Sequence, residues 1–389
     1  MFEQQYAEKK AFDESSRIWN NNEYRDAAGR LMREMRFLPE LRTGNMKICF
    51  YRHSLLNRGG DKMVVEYANY LYAQGHDVTI LTSHVDSVFK VNAKIVQISR
   101  RKKIIITLIK ALFKKYDFDI IIADIVILSL ALALRNKKSV VYFAQDYDES
   151  YYRNPMLRML IRTAYYVNLN LLKVRTIAVS ETLGQLLRTR FSARVDVVLN
   201  GVDKTVFYPD CDQNLLSLKG NKKAVLVFAR SDYRKGFDLA LRTISKFKND
   251  IENGLLAIWV IGDKVRGSLE VHNFGKVTAQ SLRKILSSVD VLLYPSRHEG
   301  LPLLILESLS CGCPVVTTEA VTILTNNYDG LVCGIGDVEC LANSLSIILY
   351  DNEKRKNLIT HGYCTADRYS LEKGKRLFLQ VLKDVRQLQ

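Results

Sequence analysis

The sequence predicts an α/β protein built of two Rossmann-like, doubly wound domains facing each other across a cleft, with a helical arm in front. Three observations carry that expectation. At 389 residues the chain is too long for one ordinary domain and long enough for two that each bury a core. Short apolar runs alternate with segments of helical periodicity, the pattern of parallel strands joined by crossover helices. The alternation begins at Met46 and begins again at Ala224, after a polar stretch at 210–222 that reads as a linker. The expected organisation is a helical extension over 1–45, a first domain over 46–210, a second over 211–370, and an amphipathic helix over 371–389 that passes back against the first domain.

In chain order, the charged arm carries Trp19, Leu31, Met32, Met35, Phe37 and Leu38 at loosely helical spacing and reads as one or two helices. MKICFY, from Met46, reads as the first strand, Met63–Gln74 as a helix capped by Gly75, and Asp77–Thr82 as the second strand. Gly59 and Gly60 fall at the end of the first strand, where ligands sit in doubly wound sheets and where glycine lets backbone come close to them. His53 is a polar group on the same rim. Arg100–Lys115, RRKKIIITLIKALFKK, places basic clusters around an apolar middle in which Ile105, Leu108, Leu112 and Phe113 share a face. It suits a membrane-surface helix and a core-facing helix with a basic outer side equally well, and Arg153–Arg175 leaves the same two readings open. The longest apolar run, Ile120–Leu134, is broken by Asp124 and reads as strand then helix rather than a membrane span. Strand Ser139–Ala144 runs into the polar cluster Gln145-Asp146-Tyr147-Asp148-Glu149, and a strand, helix and strand follow at Thr176–Ser180, Glu181–Arg190 and Val195–Leu199. The second half repeats the pattern with strands at Ala224–Phe228, Leu255–Ile261 and Val271–Phe274, a helix at Ala279–Ser287, and closing helices at Glu339–Tyr350 and Glu353–Tyr363.

Composition narrows the function. The net charge of +16 divides as +11 over residues 1–210 and +5 over the remainder, a surplus suited to phosphate-bearing substrates, anionic lipid or nucleic acid. No nucleic-acid motif accompanies it, and the basic residues lie beside apolar helices, so nucleic acid is not the expected partner, while an anionic membrane surface stands as a separate reading of the basic first half. Seven cysteines without a CxxC spacing give neither a disulfide framework nor a zinc pattern, and most read as small buried residues of a reducing cytosol. Glu3, Glu8, Lys9 and Lys10 interrupt any apolar core near Met1, so the expectation is a cytoplasmic protein, peripheral at the inner face of the membrane.

The chemistry concentrates in Ser296–Thr317, SRHEGLPLLILESLSCGCPVVT. An apolar strand, Val289–Tyr294, ends at Pro295; Glu299-Gly300 turns the chain; Pro302 suits a first helical position; and a second strand runs from Pro314 to Thr317. A turn feeding a helix start offers unpaired N–H groups and a positive dipole end to a phosphate. Glu299 and Glu307 would repel phosphate but would hold sugar hydroxyls, so the combination fits a nucleotide sugar; two glutamates on a solvated helix face are the plain alternative.

The run E-G-L-P-L-L-I-L-E-S-L-S-C-G-C-P-V-V resembles the donor-binding signature of glycosyltransferase family 4. Gly59-Gly60 followed by a helix and GHDVTILT, NGVD with FYP at 200–209, Arg230 with Lys235-Gly236, and DGLV at 329–332 are similar to the family's other motifs, in its order. The resemblance covers about Met46 to Leu388 and implies the GT-B architecture, a retaining and metal-independent transfer, no cofactor, a nucleotide-sugar donor, and a glycan or lipid-linked oligosaccharide acceptor. It implies diphosphate binding by Arg230 and Lys235, sugar positioning by Glu299, ribose binding by Glu307, and donor contacts from Gly59, Gly60, Lys276, Gly300, Leu301, Pro302, Leu303 and Leu304. His53, Gln145 and Asp146 are the acceptor-side candidates. Two departures stand out: Gln145 replaces the family's usual histidine, and Thr317–Thr322, TTEAVT, replaces a Gly-Gly. YFAQDYDESYY resembles a subgroup of S-layer glycan rhamnosyltransferases, which implies thymidine-diphosphate rhamnose as donor. A sugar-nucleotide epimerase or phosphorylase, and a non-catalytic subunit of the same fold, are the alternatives. The sequence assigns no oligomeric state.

Overall fold

The computed structural model describes residues 44–99, 103–152, 154–265 and 271–388, so the expected arm lies outside the described residues except at its end. The first sheet comprises β1 (Lys47–Tyr51), β3 (Asp77–Thr82), β5 (Lys94–Gln97), β6 (Ile120–Ala123), β7 (Val140–Ala144), β8 (Arg175–Ala178) and β9 (Val195–Val197); two-residue strands β2 (Ser54–Leu55) and β4 (His84–Val85) pair beside it. The second comprises β10 (Lys223–Ala229), β11 (Leu256–Gly262), β12 (His272–Gly275), β13 (Val291–Tyr294), β14 (Val315–Thr318) and β15 (Leu331–Cys333). Every pairing in both sheets is parallel. Continuous apolar runs such as IIIA in β6 and VVYFA in β7 are buried throughout, as strands covered on both faces must be.

The orders are β5-β3-β1-β6-β7-β8-β9 and β12-β11-β10-β13-β14-β15. Each sheet therefore winds outward one way from its first strand and resumes on that strand's other side. The loops after β1 and β6, and those after β10 and β13, part company at these reversals and leave a crevice at the carboxyl ends of the strands. The protein is thus a pair of Rossmann-like domains with the GT-B arrangement. The closing helix Leu371–Gln387 lies on the first domain: Phe378 stacks on Tyr67 at 4.2 Å and packs edge-on against Phe143 at 5.5 Å, and Lys375 pairs with Glu66 at 2.8 Å.

Four expectations need correcting. The helix expected over Met63–Gln74 starts at Gly59, so Gly59 and Gly60 are its first residues and not a turn at the strand end, because Asp61 at the third helical position accepts from the Arg58 N–H at 3.2 Å and caps that start. The basic helix runs from Ile104 to Phe113, but Ile105, Leu108, Leu112 and Phe113 do not share a face: Leu108 and Leu112 pack inward beside buried Thr107 and Ala111, leaving Ile104, Ile105, Ile109 and Phe113 exposed. Four apolar residues per turn and a half leave sequence periodicity unable to choose between the two stripes. The 210–222 linker contains a helix, Gln213–Lys219, capped by Asp212 and tied down by the Lys284–Asp212 pair. Cys333 and Cys340 form a disulfide between the end of β15 and the start of the helix Val338–Tyr350, while Cys49, Cys311 and Cys313 are the expected buried thiols.

Candidate functional site

Glu299 stands at the reversal point of the second sheet, on the loop leaving β13. Its carboxylate is 6 % exposed and accepts from Lys235 Nζ at 2.8 Å through both oxygens, while Tyr294 Oη and Ser296 Oγ reach Oε1 at 2.9 and 2.7 Å. Burial, and then the Glu299 charge, drive the Tyr294 phenol well above its ordinary range, so it remains a donor. Lys235 comes from the loop after β10, through a single turn Tyr233–Lys235 ended by Gly236. Gly236 is required twice over: its φ is +66°, and a Cβ there would sit 1.8 Å from the Pro295 carbonyl oxygen. The threonines that replace the family's glycines support this loop from below. Thr317 Oγ1 donates to the Tyr294 carbonyl at 2.6 Å and Thr318 Oγ1 to that of Ser296, both hydroxyls fully buried.

Leu301 and Pro302 are buried on the approach to the helix Leu303–Ser310, which starts one residue later than expected, with Pro302 in the capping position. No side chain caps this end. The Ile305 N–H bonds the Pro302 carbonyl at 3.1 Å, and the N–H groups of Leu303 and Leu304, with the positive end of the helix dipole, are the kind of groups that can hold an anion. Arg230 continues β10 with its guanidinium 5.5 Å above the Phe228 ring, near enough for its charge to act on Tyr294. Lys276 is exposed beyond β12, after Gly275 at φ +68°.

The first domain closes directly on this wall. Gly59 lies where a Cβ would touch Leu303 Cδ1 at 3.6 Å, Gly60 where it would meet Gln145 Oε1 at 2.9 Å, and Gly300 where it would meet the Gln145 carbonyl oxygen at 2.4 Å. Gln145 is thus wedged between two glycines of opposite domains. Asp146 beside it accepts from His298 Nε2 at 2.7 Å and from Arg234 Nη1 at 3.3 Å, both from the second domain. Burial acts to raise the Asp146 carboxyl, but the His298 bond and the Arg234 charge overcome it and hold the group below the usual carboxylate range. Beneath Gln145, Asp124 and Asp61 share Arg52, at 3.0 and 2.5 Å, and Gln145 Nε2 reaches Asp124 Oδ2 at 3.3 Å. His53 does not join this group: its Nδ1 pairs with Thr107 Oγ1 at 3.0 Å, and burial, then His84 and Arg58, lower its pKa.

Sequence reasoning missed Lys62, Arg234, His298 and the Arg52–Asp61–Asp124 network. Lys62 Nζ reaches Glu307 Oε1 at 2.6 Å from the opposite domain. His298 lay inside the motif and Arg234 beside Lys235, so position was the available signal; nothing in a linear pattern pairs them with Asp146.

Residues 57–206 match the family model described as Glycosyltransferase Family 4, and residues 222–351 that described as Glycosyl transferases group 1. The fold and these matches define the class: the chain is a glycosyltransferase of GT-B architecture. Over 373 residues, 88 % of this chain and 99 % of the relative, it is 23 % identical to an undecaprenol-diphosphate-glycan α-1,4-N-acetyl-D-galactosaminyltransferase of Campylobacter jejuni. Among solved structures, sucrose-phosphate synthase from Thermosynechococcus elongatus superposes with a TM-score of 0.73 at 16 % identity, covering 89 % of this chain and all of that one. HepE from Anabaena, in complex with UDP and glucose, gives 0.71 at 16 % identity, covering 87 % of this chain and all of that one.

Proposed function

We propose that the protein is a retaining glycosyltransferase that moves a sugar from a nucleoside diphosphate to a glycan or lipid-linked acceptor without a metal ion. The observation that carries the reading is the Lys235–Glu299 pair at the second reversal point, beside the uncapped start of Leu303–Ser310. An arriving diphosphate competes with Glu299 for Lys235. The ammonium turns to phosphate, together with Arg230 and the first-turn amides, and Glu299 is released to accept from sugar hydroxyls. As the glycosidic bond to the donor breaks, negative charge grows on the diphosphate, where these fixed positive groups stabilise it more than in the ground state. Glu307 holds the ribose; Gly59 and Gly60 let the first domain close over the donor; Lys276 and its neighbours stand at the base. The named acceptor of the Campylobacter relative supports a lipid-linked glycan here. The Q-D-Y run at 145–147 supports rhamnose from thymidine-diphosphate rhamnose.

The acceptor also gives the basic first domain a surface to work on. Among the described residues no helix is long and apolar enough to cross a membrane. The adjoining helices Ile104–Phe113, Val126–Asn136 and Pro155–Tyr165 instead expose Ile105, Ile109, Phe113, Leu134, Met156, Met159 and Leu160 among lysines and arginines. Apolar side chains within a cationic surround suit an anionic bilayer interface.

A calorimetric and thermal-shift screen of UDP, GDP, dTDP and their sugars, with thymidine-diphosphate rhamnose and UDP-N-acetylgalactosamine included, tests the donor. A ligand at a hundred times its Kd stabilises by about 2.7 kcal/mol. Glu299→Ala and Lys235→Ala are each expected to abolish transfer with the fold intact by circular dichroism, and turnover like the wild type in either sinks the assignment.

A further inference from the structure

The ion pair between Lys62 and Glu307 joins the two domains through a carboxylate that the donor reading gives to the nucleotide. Lys62 stands in the first turn of the helix Gly59–Ala73, and Glu307 in the middle of Leu303–Ser310, 245 residues further along. Nζ lies 2.6 Å from Oε1, with 22 % of the lysine side chain and 8 % of the glutamate exposed, and the ammonium also sits 4.7 Å over the Phe207 ring. The pair is sheltered on both sides, so solvent screens it less than a surface ion pair. The Lys235–Glu299 pair lies within one domain and can exchange for substrate without moving either. Lys62 and Glu307 instead belong to different domains, so their pairing is one of the contacts that join the two.

Resting on the function proposed above, we propose that Lys62 is a positioning residue of the donor site, supplied by the opposite domain. Its ammonium occupies Glu307 and ties the two domains together across the cleft. A ribose presents hydroxyl donors to the same carboxylate, so Lys62 must yield it before the nucleotide is held. Nucleotide affinity is therefore set against a contact that joins the two domains. Asp146, with His298 and Arg234, remains to reunite the domains after Lys62 has let go, since no donor contact is assigned to that carboxylate.

Lys62→Met keeps the aliphatic stem over Phe207 and removes the ammonium, and Lys62→Arg keeps a cation as control. Two measurements on the full chain decide the matter. In hydrogen–deuterium exchange without ligand, Lys62→Met is expected to exchange faster than wild type over 59–66 and 298–310, and Lys62→Arg to behave like wild type; unchanged exchange in Lys62→Met overturns the latch. In calorimetry with UDP, GDP and dTDP as probes, Lys62→Met is expected to bind the preferred nucleotide about fivefold more tightly, which corresponds to ~1 kcal/mol. Unchanged or weaker binding overturns the competition, weaker binding marking Lys62 as a phosphate ligand instead. If wild type and variant bind none of the three, the donor reading falls and takes the competition with it, while exchange still shows whether Lys62 holds the domains together.

Discussion

A single methyl group at Gly300 is expected to prop the cleft open. Its Cβ would lie 2.4 Å from the Gln145 carbonyl oxygen and 3.4 Å from Asp146 Cα, atoms of the facing domain. Ordinary contact needs about 3.5 Å, so the shortfall is about 1 Å. Gly300 has no positive φ, so alanine strains nothing locally. The obstacle is backbone, which cannot swing aside as a side chain would, and the relief left is a shift of one domain against the other by roughly that ångström. Displacing reacting groups by about 1 Å costs on the order of a hundredfold in rate. Gly300→Ala should therefore lose about a hundredfold in kcat while each domain keeps its fold and thermal unfolding moves little. The assay is transfer from the donor that the nucleotide screen selects, with circular dichroism and exchange over 145–149 and 298–303 in parallel. Unaltered turnover and unaltered exchange would refute the closed arrangement of these two loops.

Two further outcomes follow from the first domain. Glu149 is buried and accepts from Arg162 at 2.6 Å, Arg158 at 3.1 Å and Tyr147 at 2.5 Å, and pairing with Arg162 above all holds its carboxyl down to about 2. A depressed folded-state pKa adds stability that is complete above the ordinary value of about 4.5 and is lost as pH falls towards 2. The shift taken whole corresponds to about 3 kcal/mol, and since both arginines are half exposed, screening leaves about 1–2 kcal/mol. Urea denaturation should show Glu149→Gln less stable by that amount near neutrality, with the gap narrowing as the pH drops below about 4; a constant gap would contradict the pairing. For the membrane face, the wild type is expected to sediment with anionic vesicles at low salt, and Ile109→Glu with Phe113→Glu to reduce the bound fraction several-fold at unchanged nucleotide affinity. Equal sedimentation of the double variant would remove this face from the interface.

The sequence by itself determined most of the local architecture. Apolar runs bounded by glycine, proline and polar residues placed most of the strands within a residue or two, Asp77–Thr82 without error, because a strand buried on both faces admits little but Val, Ile, Leu and their like, while the largely exposed edge strand Lys94–Gln97 went unread. The order of the motifs placed Glu299 and Lys235 at strand ends of one domain, and there the structure pairs them. Those features depend on neighbours in the chain. The stripe of Ile104–Phe113 that turns outward did not follow from periodicity, because both stripes are apolar and only packing against the sheet distinguishes them. The Cys333–Cys340 disulfide required a Cα separation of 5.8 Å between a strand end and a helix start, a distance no spacing rule supplies.

The cleft shows the same division most sharply. Arg230 and Arg234 are equivalent as residue types on one loop, yet Arg234 is the one that crosses to Asp146. His298 and Lys62 meet partners 152 and 245 residues away. Gln145, which breaks the family pattern in the linear chain, is the backbone against which Gly300 closes. Each of these contacts forms only when two independently folded sheets present their carboxyl rims to one another. Strand and helix propensities act over a few residues and charge pairing over a few ångströms, so the wall carrying Glu299 could be read from its own segment, while what it faces had to wait for the chain to bring the other domain within hydrogen-bonding reach.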